Sequence, residues 1–133
     1  MIFIGYKKYI LSTQKLNLPD KEQVYKIEFF DGQYLELTDE ENIETIIDSL
    51  SEAEATNMKN SFQEGTKIGS LECYVYIRYV NEDNENKSYR LGIFRNKNKY
   101  YIESESPREV WKISEDLYLY LFQTRIKLRT GEL

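Results

Sequence analysis

"LECYVYIRYV", residues 71–80, is the stretch on which the reading of the fold turns. Leu71, Cys73, Val75, Ile77 and Tyr79 share one parity, and Glu72, Tyr74, Tyr76 and Arg78 share the other. Successive strand side chains point to opposite faces, so this pattern describes a strand with one sealed face and one wet face. On the sealed parity Cys73 is expected to be a small core residue, not a nucleophile.

The pattern continues in both directions. "NEDNEN" (81–86) is a turn whose acids and amides lack the glycine and terminal glutamate of a calcium loop. "KSYRLGIF" (87–94) returns with Tyr89, Leu91 and Ile93 on one face, and Lys99 to Glu103 forms the next strand. There Tyr100 and Ile102 fall on one side, Tyr101 and Glu103 on the other. Pro107 cannot donate to a ladder and marks a break, after which "EVWKI" (109–113) resumes and brings Trp111 near the last helix. Upstream, "VYKIEFF" (24–30) sets Tyr25, Ile27 and Phe29 against Lys26 and Glu28. Asp31-Gly32 is a hairpin signal, because both positions tolerate positive φ, and "QYLELT" returns with Leu35 and Leu37 pointing together.

Two helices interrupt the strands. Thr38 is the expected cap of the first, with Glu41 completing a capping box. Asp39, Glu40 and Glu41 sit where the helix dipole favours negative charge. Ile43, Ile46, Ile47 and Leu50 recur at i, i+3, i+4 and i+7, a single apolar stripe. Ser114 is expected to cap the second helix, over about 115–129, with Glu115 and Asp116 at its start, Lys127 and Arg129 at its end and Gly131 after it. Its core stripe is read as Leu117, Tyr120, Leu121, Thr124 and Leu128, with Tyr118 and Phe122 beside it. Residues 54–70 show no clean period and read as a long connection with a helical turn around Met58 to Phe62. The Gly65-x-x-x-Gly69 spacing lacks the Gly-Lys-Ser/Thr ending of a phosphate loop.

The expected order is therefore β-β-α-β-β-β-(β)-α. That is an α+β fold: a five- or six-stranded antiparallel meander with two helices packed on one face. Residues 18–133 read as a single α+β domain, and 1–17 as a lead-in or anchor stub. The apolar run of "MIFIGYKKYIL" is too short for a secretory signal core, and its lysines follow the run. A short pairing strand and an anchor remnant both fit it, and no later stretch approaches the length of a membrane span.

The 133 residues carry a formal charge of −5, which opposes phosphate binding, so no nucleic acid partner is expected. Ten of the acids lie between Asp31 and Glu64 with one base, Lys59, and such a run suits either a solvated helix face or a basic partner. There is no histidine, which removes Ser-His-Asp and Cys-His catalysis, His-liganded zinc and an imidazole pH switch together. The single cysteine forbids an internal disulfide. No catalytic residue, metal site or cofactor is expected. The 12 tyrosines are the outlier, and they suit half-buried sheet faces, where the ring buries and the hydroxyl stays wet.

In order, the segments Leu18-Pro19-Asp20, the hairpin, Thr38-Asp39 with Glu41 and Ile43, Ala53 to Ser61, Tyr100-Tyr101-Ile102-Glu103, Pro107 and Val110-Trp111-Lys112-Ile113 form a series. This series resembles a family of uncharacterised bacterial domains, found mostly in proteins of Gram-positive species predicted to be exported or lipid-anchored. The chain departs from it after the proline, where Arg108 and Glu109 replace an aromatic and a glycine, and in the extra residues Ser104 to Ser106. The resemblance implies an extracytoplasmic compartment, with any membrane attachment through an N-terminal anchor, and implies no mechanism.

The function expected is a non-catalytic binding or sensing module at the cell envelope, its partner another protein. Its candidate surface is the outward sheet face bearing Tyr74, Tyr76, Arg78, Arg90 and Tyr101, since tyrosine and arginine offer large contact area with a polar tip. The alternative is a small acidic cytoplasmic protein that neutralises a toxin or enzyme by binding it. Carboxylate catalysis by Glu103 and Glu105, which share a strand face, is the remaining reading and needs a cleft.

Overall fold

The computed structural model of the protein describes residues 15–56, 58, 69–105 and 108–133. Its centre is the strand quoted above, β4 (Ser70–Val80) once β1 (Val24–Phe30), β2 (Tyr34–Leu37) and the short β3 (Glu54–Ala55) are counted before it. Cys73, Val75 and Ile77 are buried while Tyr74, Tyr76 and Arg78 between them are half-buried, which is the period of two that the residue types require. The chain then turns into β5 (Asn86–Asn96), β6 (Lys99–Glu105) and β7 (Arg108–Ile113). In the first of these turns the Asn81 side chain accepts from the backbone N–H groups of Asp83 and Glu85, and Asn84 takes φ +61°, which its short polar side chain tolerates.

Among the described residues seven strands form one antiparallel sheet in the order β2-β1-β4-β5-β6-β7-β3, with two helices, α1 (Glu40–Leu50) and α2 (Glu115–Arg129). Both helices bury their apolar stripes in the same core as Ile27, Phe29, Val75, Ile77, Leu91, Ile93, Ile102 and Trp111. The buried indole N–H of Trp111 donates to Ser104 Oγ at 3.0 Å, so its polar atom is satisfied inside the core. Ser114 caps α2 as expected, accepting from the N–H of Leu117.

The structure corrects the expectations at several points. The sheet has seven strands, not five or six, because Glu54 and Ala55 pair with Lys112 and Trp111; two residues carry no period, so this strand lay hidden in the presumed connection. β4 to β7 form a meander, but β1 joins it by pairing with β4, and α1 carries the chain across to β3 on the opposite edge. A register shift between Val24 and Lys26 reverses the phase at the start of β1. Val24 is therefore buried, and Tyr25, expected inside, is 47% exposed. A second shift, between Leu71 and Cys73, turns Leu71 out to 42% exposure. Asp39, not Thr38, caps α1: its carboxylate accepts from the N–H of Asn42.

On α2, Tyr118 is buried and stacks on Tyr100 at 4.1 Å, whereas Phe122 is exposed. Arg125, expected only as part of a basic tail, is also buried. The helical turn expected around Met58 to Phe62 and the N-terminal segment 1–14 lie outside the described residues, apart from Met58. Among the described residues no helix is long and apolar enough to cross a membrane.

Candidate functional site: the aromatic face of the sheet

Two pairings build the face away from the helices. β1 against β2 sets Phe30 opposite Tyr34, and β1 against β4 sets Phe30 opposite Tyr74, Glu28 opposite Tyr76 and Lys26 opposite Arg78. β5 then adds Arg90 opposite Tyr76. The outcome is a ladder of rings across three strands: Phe30 to Tyr34 at 5.0 Å, Tyr34 to Tyr76 at 6.3 Å, Tyr76 to Tyr74 at 6.5 Å. Centroid spacings of this size are those at which tilted and offset aromatic pairs attract. The two arginines extend the ladder as planar cations over its rings, Arg78 at 5.6 Å from Tyr76 and Arg90 at 5.2 Å from Tyr74.

The charged residues around the ladder pair with one another. Glu28 is buried to 7% exposure, and its Oε1 accepts from Arg78 Nε at 2.5 Å. That hydrogen bond raises the Arg78 guanidinium further above its already high value, and holds it charged. Lys26 stands 3.7 Å from Glu28 and 3.4 Å from Glu36, and Arg90 stands 3.5 Å from Glu105. What the face offers outward is therefore ring surface more than net charge. Among the described residues Tyr34 is the most exposed large apolar side chain at 54%, and Tyr25 and Phe30 of the neighbouring strand β1 are exposed as well.

Of the five residues expected here, the structure brings Tyr74, Tyr76, Arg78 and Arg90 together. Tyr101 lies on the same face but in a separate cluster, packed with Phe94 and Val110 beneath Met58. Met58 is held there because its carbonyl accepts from the Val110 N–H, while Thr56 Oγ1 donates to the Val110 carbonyl. Phe30, Tyr34, Glu28, Glu36 and Lys26 were missed as members of the site. Phe30 and Tyr34 carry a readable signal, since they flank Asp31-Gly32 on the parity opposite Leu35 and Leu37. The neighbour relation of β1 and β4 carries none in a single sequence.

The remaining chemistry is sparse. Burial pushes the Cys73 thiol up to about 11, with the nearby Arg125 charge pulling weakly the other way, so the thiolate is suppressed at neutral pH. Among the described residues no three His, Cys, Asp or Glu side chains form a metal-binding group. A groove of about 520 Å³ lies between α1, β3 and the start of α2, lined by Thr45, Ser49, Glu52, Glu54, Lys112, Asp116 and Tyr120. It mixes hydroxyls with opposed charges.

The arrangement defines an α+β domain whose helices seal one side of an antiparallel sheet and whose other side presents rings. The sequence profile of the DUF5301 family, a domain of unknown function, matches residues 12–112, and the chain belongs to this family. No curated protein matches the chain. No solved structure matches it either.

Proposed function

We propose that the protein is a non-catalytic binding or sensing module acting at the bacterial cell envelope, and that it grips a protein partner through the aromatic face of β2, β1, β4 and β5. The observation that carries this reading is the ladder itself. Phe30, Tyr34, Tyr76 and Tyr74 are contiguous, and Tyr34 and Phe30 are exposed by 54% and 38% at one edge of the sheet. Contiguous exposed rings are costly to leave in water and mark contact surfaces, and Tyr and Arg are the residue types that dominate interface energy. The pairing of Lys26, Glu28, Glu36, Arg78, Arg90 and Glu105 supports the same reading, because an ion that already has its counter-charge is less costly to cover.

The test uses the full chain as bait against envelope and cytosolic fractions, beside a Tyr34→Ala/Tyr76→Ala variant and a variant with Glu40, Glu44 and Asp48 of α1 changed to lysine. Capture from the envelope fraction that the ladder variant loses and the α1 variant keeps supports the proposal. Capture lost only with the α1 acids overturns it in favour of the small acidic neutralising protein.

A further inference from the structure

Asp31 sits between the two exposed rings of the hairpin, Phe30 and Tyr34, yet points the other way. Gly32 at φ +99° makes the turn, and the parity that sends Phe30 outward sends Asp31 under the sheet, where its side chain is only 7% exposed. Two consecutive turns of α2 meet it there. Arg125, itself 4% exposed, donates from Nη1 to Asp31 Oδ2 at 3.2 Å, and Arg129 Nη2 donates to the same oxygen. The two arginines are four residues apart and so share one helix face. Cys73 lies beside this group on β4, and the Phe122 ring lies 5.5 Å from the Arg125 guanidinium.

Such a pair is a poor device for stability alone. Removing two charges from water costs as much as their attraction returns, and apolar residues of the same volume often serve better. Here the match is also incomplete, since Asp31 Oδ1 and Arg125 Nε are buried and find no partner among the described residues. What a buried ion pair supplies that a leucine does not is a single acceptable position. If the hairpin shifts or α2 slides, the guanidinium and the carboxylate are stranded apart in the core. The carboxylate in question belongs to the residue that joins the ring-bearing strand to its turn.

We infer that Asp31 is the positioning residue of the aromatic ladder. Clamped from beneath by Arg125 and Arg129, it fixes the hairpin that presents Phe30 and Tyr34, so the hairpin and the last two turns of α2 open and close as one unit. The inference gives the proposed contact surface a rigid mount, and it rests on that reading for its purpose but not for its test. Amide hydrogen exchange on the full chain, free in solution, reads it directly. Asp31→Asn, which keeps the shape and removes the charge, is expected to speed exchange at least tenfold in two places together, residues 33–36 and residues 125–129. Arg129→Ala removes one donor at a position 39% exposed, where folding is not at risk, and is expected to speed the same two segments by a smaller factor. In that variant the amides of β6 and β7 keep their rates, and the ring contacts between Phe30 and Tyr34 seen by NMR weaken. Faster exchange at the helix end alone, with the hairpin unchanged, overturns the inference. So does an equal loss of protection in β6 and β7 in the Arg129→Ala variant, which would make the pair an ordinary part of the global core. Neither outcome bears on whether the ladder captures a partner, which the alanine variants decide separately.

Discussion

Truncating Tyr34 separates a surface that waits for a partner from a ring that merely packs. Tyr34 has two ring neighbours, Phe30 at 5.0 Å and Tyr76 at 6.3 Å, and is 54% exposed. An aromatic pair contributes roughly 0.5–1.5 kcal/mol beyond area, and a cross-strand pair about 0.2–1 kcal/mol. Tyr34→Ala is therefore expected to cost about 1–1.5 kcal/mol. Ile77 lies on the opposite parity two strands away, is fully buried, and meets the inward residues of β1 and β5. Ile77→Ala removes buried methylenes and leaves a cavity, for a loss of about 3–4 kcal/mol. With an unfolding entropy of about 2.1 cal/mol/K per residue, each kcal/mol corresponds to roughly 4 °C in a chain of this length. The two variants should thus differ by about 8 °C in Tm. Urea titration at 25 °C is the better assay, because an unchanged m-value confirms that both variants unfold from the same compact state. The single tryptophan, Trp111, is buried and reports the transition by fluorescence. If Tyr34→Ala loses as much stability as Ile77→Ala, the ring belongs to a sealed core, and the face cannot be the open contact surface proposed for it.

The other predictions concern the frame around that surface. Gly69→Ala should destabilise by about 3 kcal/mol or more by urea titration, because φ is +111° and an added Cβ would lie 2.1 Å from the Arg95 carbonyl oxygen. Stability should fall on the alkaline side: burial pushes the Tyr89 and Tyr118 phenols up to about 12 and the Cys73 thiol up to about 11. In the unfolded chain these groups lose their protons earlier, near about pH 10 for tyrosine and about 8.5 for cysteine, so stability is intact below about pH 8.5 and declines from there to about pH 12. Urea midpoints measured across that range check the sign, and Cys73→Ala should remove the part of the decline that begins first. Glu28→Gln should cost about 1–2 kcal/mol, since it weakens a charge-assisted bond to a guanidinium only one-third exposed, and a change below 0.3 kcal/mol in urea would show the pair to be idle.

How much of this was legible depends on whether a feature is periodic or relational. The two-residue period of 73–78 and 89–93 tells which side chains of β4 and β5 face the helices, and Tyr74, Tyr76, Arg78 and Arg90 follow from it directly. Helix α1 was legible for the same reason, with Ile43, Ile46, Ile47 and Leu50 all buried. The period failed where the backbone changes phase. One bulge at the start of β1 turned Tyr25 outward and Val24 inward, and nothing in "VYK" announces it. Parity gives the face of Tyr101 but not its neighbours, Phe94, Val110 and Met58, because a face is set by parity and a cluster by which strands are adjacent.

Relational features were invisible for a stronger reason. Arg125 lies in "FQTRIKL", where a charged residue near a helix C-terminus is what the dipole favours at the surface. Burial of a guanidinium is tolerable only where a carboxylate stands ready, and the carboxylate, Asp31, lies 94 residues earlier, in a turn that has its own reason to use aspartate. Each residue thus carries a sufficient local explanation that hides its distant one. Asp31 can serve both ends because Gly32 supplies the turn's positive φ: the aspartate need not remain exposed for the hairpin to form, and its side chain is free to bind α2. The rings on the outer face and the ions on the inner face are therefore consecutive residues of one hairpin, and a change beneath the sheet at Asp31 has to be felt at Phe30 and Tyr34 above it.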